Sequence, residues 1–135
     1  MIVVDTSAWI EFLRATESRA DNTLVRLIEE DVELAVTEVV VAELLAGART
    51  EAHHESLREQ VLAFPVLSLG GLDGFEAAAE VFRACRRDGR TPRGIADCLV
   101  AAPAIAAGAP LLHADADFDR MARCTALEVH PLDRP

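Results

Sequence analysis

The sequence predicts an α/β fold, a mostly parallel central sheet flanked by helices in an α/β/α sandwich, and two observations carry that expectation. First, short apolar runs ("IVVD", "ELAV", "VLSL", "PLLHA") alternate with segments whose apolar residues recur at helical spacing, and parallel strands need such crossovers. Second, 51% of the 135 residues are hydrophobic but only 4% aromatic, so Ala, Val and Leu must build a core of closely packed helices and strands. No repeat, low-complexity tract or linker-like stretch divides the chain, which predicts one domain over residues 1–135.

The elements follow in order. "IVVD" is a β-branched run ending in a carboxylate, and "TSAWIEFLRA" continues as a helix with Thr6 or Ser7 as its N-cap and Trp9 and Phe12 as core. Ser18 opens a second helix to about Glu30, with Leu24, Leu27 and Ile28 on one face. After the strand "ELAV", Thr37 caps "EVVVAELLAGA", which stops near Gly47. "ESLREQVLAF" is the next helix, "VLSL" the third strand, and "GFEAAAEVFRACRR" a longer helix ending at Gly89. "GIADCLVAAPAIAAG" reads as a buried helix with Pro103 placed to kink it. "PLLHA" is the fourth strand, "DFDRMARC" a short helix and "LEVHPL" a last strand.

Composition narrows the function classes. No apolar run approaches the roughly 18 to 20 residues of a membrane span, and "MIVVD" has neither charged leader nor cleavage site, so no signal peptide is expected. Cys85, Cys98 and Cys124 are odd in number and lack CxxC spacing, which argues against a disulfide framework or zinc site and for a reducing cytoplasm. The net charge is −10, yet all 13 basic residues are arginine, and Arg83, Arg86, Arg87, Arg90 and Arg93 fall within "RACRRDGRTPR". That run is either a solvated helix end favoured by the helix dipole or a phosphate-contacting patch, with Arg86, Arg87, Arg90 and Arg93 the candidates.

The carboxylates are more informative. In parallel α/β sheets, ligands bind beyond the carboxyl ends of the strands. Asp5 closes the first strand, and "LLHADADFD" places Asp115, Asp117 and Asp119 within five residues after the fourth. Glu43 and Asp97 interrupt apolar helical faces, and charges are seldom buried unless paired or bound to metal. Taken singly, Asp5 could be a helix cap, Asp115 or Asp117 could cap the helix after the fourth strand (which explains one but not both), and Glu43 and Asp97 could each meet an arginine. An EF-hand is excluded: Arg120 stands where that loop needs Gly, and Ala126 where it needs a bidentate Glu. One shared hard cation, Mg²⁺ or Mn²⁺ with oxygen ligands, accounts for all the acids more economically than five separate explanations. The adjacent His53 and His54 cannot share a helix face and read as surface residues, whereas His113 reads as structural.

Four stretches in this order, "VDTSAWIEFL", "TEVVVAELLAG", "IADCLVAAPAIAAG" and "LLHADADFDRMA", resemble a PIN domain and, more narrowly, the VapC toxins of bacterial toxin–antitoxin pairs. The resemblance spans essentially the whole chain. It implies a Mg²⁺- or Mn²⁺-dependent endoribonuclease with Asp5, Glu43, Asp97 and Asp115 as catalytic acids. Asp5, Asp97 and Asp115 would be the primary metal ligands, Asp117 an outer or second-metal ligand, and Thr6 and Ser7 supporting hydroxyls. It further implies an RNA substrate, a VapB-type antitoxin and a homodimer, while the lack of a long apolar run predicts no membrane association. Two positions depart from the family pattern: His113 stands where a hydroxyl residue is often found, and Pro103 is unusual in its helix. A receiver domain and a haloacid-dehalogenase-like phosphatase both need a lysine, and the chain has none. A non-catalytic PIN scaffold or RNA-binding module is the remaining alternative.

Overall fold

A computed structural model describes residues 1–135. Four strands, β1 (Ile2–Val4), β2 (Leu34–Thr37), β3 (Val66–Leu67) and β4 (Leu111–Leu112), form a parallel sheet in the order β3-β2-β1-β4. Each crossover carries two helices: α1 (Thr6–Leu13) and α2 (Arg19–Glu29), then α3 (Glu38–Ala46) and α4 (Glu51–Val61), then α5 (Leu72–Arg87) and α6 (Ala96–Ala107). A short α7 (Ala116–Ala122) follows β4. Every residue of β1, β2 and β4 is buried, which explains why these runs are continuously apolar rather than alternating.

One cluster of 28 buried hydrophobic residues, from Ile2 to Leu127, joins both faces of the sheet. Trp9 is buried against Phe12 and Phe64, with ring centroids 5.7 and 5.3 Å away. Ser18 and Thr37 cap α2 and α3 as their sequence positions predict, accepting the N–H groups of Asp21 and Val40. Gly108 ends α6 in the left-handed conformation (φ 62°), which costs a residue without Cβ little.

Several expectations are corrected. The N-cap of α1 is Asp5, one residue before the predicted Thr6 or Ser7, because its carboxylate accepts the Ser7 N–H. Helix α4 starts earlier than "ESLREQVLAF", capped by Thr50, and α5 starts at Leu72. Pro103 lies buried inside α6, where the sequence places it, and forfeits one backbone hydrogen bond there. "LEVHPL" forms only a single parallel bridge, Val129 to Leu111. Beyond it the chain leaves the sheet and is held on α2, where Asp133 accepts two hydrogen bonds from Arg26, at 2.7 and 2.9 Å. The Cys85 and Cys124 thiols lie 2.9 Å apart, and burial beside Cys124 pushes Cys85 up to about 12. No helix is long and apolar enough to cross a membrane.

Candidate metal centre

The strand order locates the site. From β1 the chain moves outward to β2 and β3 on one side, while β4 lies on the other. The crossovers therefore diverge at the β1–β4 boundary, and the crevice at their carboxyl ends is where a parallel sheet binds ligands. Asp5 follows β1 there, Asp115 caps α7 just after β4, and the first turn of α6 brings Asp97 to the same place.

Oxygens of Asp97, Asp115 and Asp117 lie within 4.8 Å of one another. Asp5 stands outside this tightest set, yet its charge is the largest acting on Asp97. Asp97 is half-buried, and its pKa is raised to about 6 by desolvation and then by repulsion from Asp5, Asp115 and Asp117. Asp5 is 4% exposed and is also shifted upward, because burial outweighs the two hydrogen bonds it accepts from Ser7. Asp117, by contrast, is held below the usual carboxylate range by its hydrogen bonds from Arg120 and Arg93, so the unrelieved burial and repulsion fall on Asp5 and Asp97. All-oxygen donors at this spacing suit a hard divalent cation of the Mg²⁺ or Mn²⁺ type.

The supporting residues have defined partners. Ser7 Oγ donates to Asp5 Oδ2 at 2.6 Å and accepts the Ala114 N–H at 2.9 Å, tying the start of α1 to the loop that carries Asp115. Thr6 Oγ1 donates to Glu43 Oε1 at 2.9 Å. Glu43 itself is exposed, which corrects the expectation that it interrupts a buried face: α3 turns Val40 and Leu44 to the core instead. His113 is buried, and its Nδ1 accepts the Asp115 N–H at 3.0 Å. That bond leaves the proton on Nε2, which donates to Asp119 Oδ1 at 3.1 Å. Asp119 is thus paired with His113 and is not among the three acids that converge.

The arginines do not form the single patch that their clustering suggests. Arg83 and Arg87 both pair with Glu80, Arg90 pairs with Asp88, and Arg86 lies over the Phe82 ring at 5.8 Å. Arg93 stands apart from them, at the acids, with Nη2 donating to Asp115 Oδ2 at 2.8 Å and Nε donating to Asp117 Oδ2. Arg120 holds the other oxygen of Asp117. This use of Arg93 and Arg120 escaped sequence reasoning; the available signals were that Arg120 lies three residues after Asp117 on one predicted helix and that Arg93 lies four residues before Asp97. His53 is exposed and His54 half-buried on α4, and His53 lines a cavity that Glu43 also borders.

Comparison with known proteins accords with this fold. The PIN domain profile matches residues 2–123. VapC ribonuclease Mb1587 of Mycobacterium bovis and Ribonuclease VapC11 of Mycobacterium tuberculosis are each 46% identical over 129 residues, covering 95% of this chain and 96% of the relative. Among solved structures, VapBC2 from Rickettsia felis bound to a promoter DNA fragment has a TM-score of 0.76 at 21% identity, covering 98% of this chain and 100% of that one. Mycobacterium tuberculosis VapC20, described as a sarcin-ricin loop cleaving toxin, has a TM-score of 0.66 at 18% identity, covering 95% and 99%. Those two likenesses establish the fold, and the closer sequence matches narrow it. The chain belongs to the PIN domain family and, within it, to the VapC ribonucleases.

Proposed function

We propose that this protein is the toxin of a type II toxin–antitoxin pair, a divalent-cation-dependent endoribonuclease working as one unit over residues 1–135. The observation that carries the reading is the convergence of Asp97, Asp115 and Asp117, with Asp5 beside them, at the sheet's switch point. Asp5, Asp97 and Asp115 would hold Mg²⁺ or Mn²⁺, with Asp117 at its edge and Glu43 oriented by Thr6. A bound cation would supply a lowered pKa for water and charge neutralisation for an RNA phosphodiester entering an acidic crevice. The chain's own part is to hold carboxylates in place before substrate arrives: Ser7 fixes Asp5, and His113 fixes the Asp115 backbone.

Incubating purified protein and RNA with Mg²⁺, Mn²⁺ or a chelator tests the reading. Cleavage is expected with either metal and none with chelator. Cleavage in chelator would overturn the metal dependence, and no cleavage with either metal would leave the non-catalytic scaffold or RNA-binding module. Mapping new 5′ ends after brief expression then identifies the RNA.

Metal binding should also be proton-coupled. The folded-state pKa of Asp97, about 6, lies above its ordinary 3.8, so the metal-free fold is favoured below pH 4 and loses that contribution as pH rises through 6. A cation relieves the same repulsion and must displace the proton at low pH. Mn²⁺ is therefore expected to raise the melting temperature by several degrees at pH 7.5 and by much less at pH 5. An equal shift at both pH values would place the metal elsewhere.

Arg86, Arg87 and Arg90 serve in this reading as phosphate contacts, with Arg93 closest to the chemistry. Changing Arg86, Arg87 and Arg90 to Gln is expected to weaken RNA binding. The slope of log affinity against log salt should fall by about one, not three, because Arg87 and Arg90 are already held by carboxylates. An unchanged slope would return the stretch to a solvated helix end.

The partners in this reading are RNA, a VapB-type antitoxin and a second copy of the chain. The exposed Leu72 and Phe75, beside the groove between α3 and α6, support association between copies. The acidic crevice supports an antitoxin that presents a guanidinium there.

A further inference from the structure

The hydrogen bonds of Asp115 and Asp117 account for all four of their carboxylate oxygens. Asp115 Oδ1 accepts the Asp117 N–H at 2.9 Å, closing the cap of α7, and Asp117 Oδ1 is held by Arg120. The two remaining oxygens, Oδ2 of each, are both taken by Arg93. One guanidinium thus spans the two acids through Nη2 and Nε, and its charge reaches Asp97 as well. Arg93 comes from the segment between α5 and α6 and belongs to neither helix, and its side chain is 72% exposed. A planar fork is suited to bridging carboxylates, but an exposed pair is held weakly enough to be exchanged.

We propose that Arg93 is the protein's own counter-ion for the Asp97–Asp115–Asp117 cluster, competing with the divalent cation for the Oδ2 atoms of Asp115 and Asp117. It thereby sets the cation concentration at which the site loads. The inference rests on the metal-dependent reading above and deepens it. Without a cation, Arg93 offsets the repulsion between Asp115 and Asp117. With one, the guanidinium must give up at least part of its contact, because each Oδ2 offers its best approach to one cation at a time. Removing Arg93 should therefore strengthen metal binding. A residue that merely braced the loop would weaken it on removal.

The test is Mn²⁺ binding by titration calorimetry on the whole chain at constant ionic strength. Wild type would be compared with Arg93→Gln, Arg93→Lys and Arg83→Gln, the last removing a charge that touches only Glu80. Arg93→Gln is expected to bind Mn²⁺ about three- to tenfold more tightly and to melt lower in the absence of metal. Arg93→Lys should fall between Gln and wild type, since one ammonium bridges two oxygens less well. Arg83→Gln should match wild type; a gain equal to that of Arg93→Gln would reduce the effect to net charge and overturn the proposal. Unchanged or weaker Mn²⁺ binding by Arg93→Gln also overturns it, while leaving the metal-dependent reading intact if wild type binds. Binding by Arg93→Gln but not by wild type would support it in its strongest form, and binding by neither would overturn both readings.

Discussion

Asp97→Asn is expected to lower RNA cleavage at least about 100-fold while making the metal-free protein more stable. The two effects share one cause. Asp97 sits half-buried where Asp5, Asp115 and Asp117 all repel it, and its carboxylate is the member of the cluster that no arginine or hydroxyl hydrogen-bonds. At pH 7.5 the folded chain carries that charge at a penalty the unfolded chain escapes. The shift from 3.8 to about 6 would correspond to roughly 3 kcal/mol if fully expressed, and solvent screening of a half-exposed group reduces this to about 1 kcal/mol. Asn removes the penalty, so melting should rise by a few degrees at pH 7.5 and hardly at all near pH 4. Asp115→Asn should lose cleavage equally but gain no stability, because it gives up the charge facing Arg93. Wild-type turnover from Asp97→Asn would remove it from the site. Lost turnover together with lost stability would mean that Asp97 braces the fold.

The alternation of strands and helices was legible because capping residues announce themselves: Ser18 and Thr37 are followed by apolar residues at helical spacing. The acids stood out because Asp5, Asp97 and Asp115 interrupt runs the core would otherwise claim. Less local features were not legible. Helix α3 is apolar nearly all round, so its composition does not reveal which stripe faces inward, and Glu43 proved exposed. Asp115, Asp117 and Asp119 look equivalent in sequence, yet the turn into α7 sends the first two into the cluster and the third to His113. Arg93 follows four arginines of the same run and reads as one more of them. Only the fold of the 88–95 segment, which has no periodicity to predict, carries it to acids 22 and 24 residues away.

The same limit applies to Ser7, whose partner Ala114 is 107 residues distant, and it leads to the second large expected effect. The family resemblance made Ser7 a supporting hydroxyl, and the structure commits that hydroxyl to protein partners on both sides. Asp5→Asn and Ser7→Ala should therefore separate charge from position. In Asp5→Asn, the amide oxygen can still accept the Ser7 N–H and hydroxyl, so the cap of α1 survives. Cleavage should nonetheless drop at least about 100-fold, because a metal ligand has lost its charge. Melting should hold or rise slightly at neutral pH, since burial already pushes Asp5 upward and the neutral side chain escapes that penalty. Ser7→Ala keeps the charge but strips a hydrogen bond from a buried carboxylate and leaves the Ala114 N–H without its acceptor. That should lower stability by about 2 kcal/mol and cleavage by about tenfold, as Asp5 and the Asp115 loop lose their shared tether. Ser7→Thr should recover most of both, since its hydroxyl can reach the same partners. If Ser7→Ala cleaves normally, the tether does not matter to the chemistry. If it is as inactive as Asp5→Asn and no less stable than wild type, its hydroxyl acts on the metal or substrate directly.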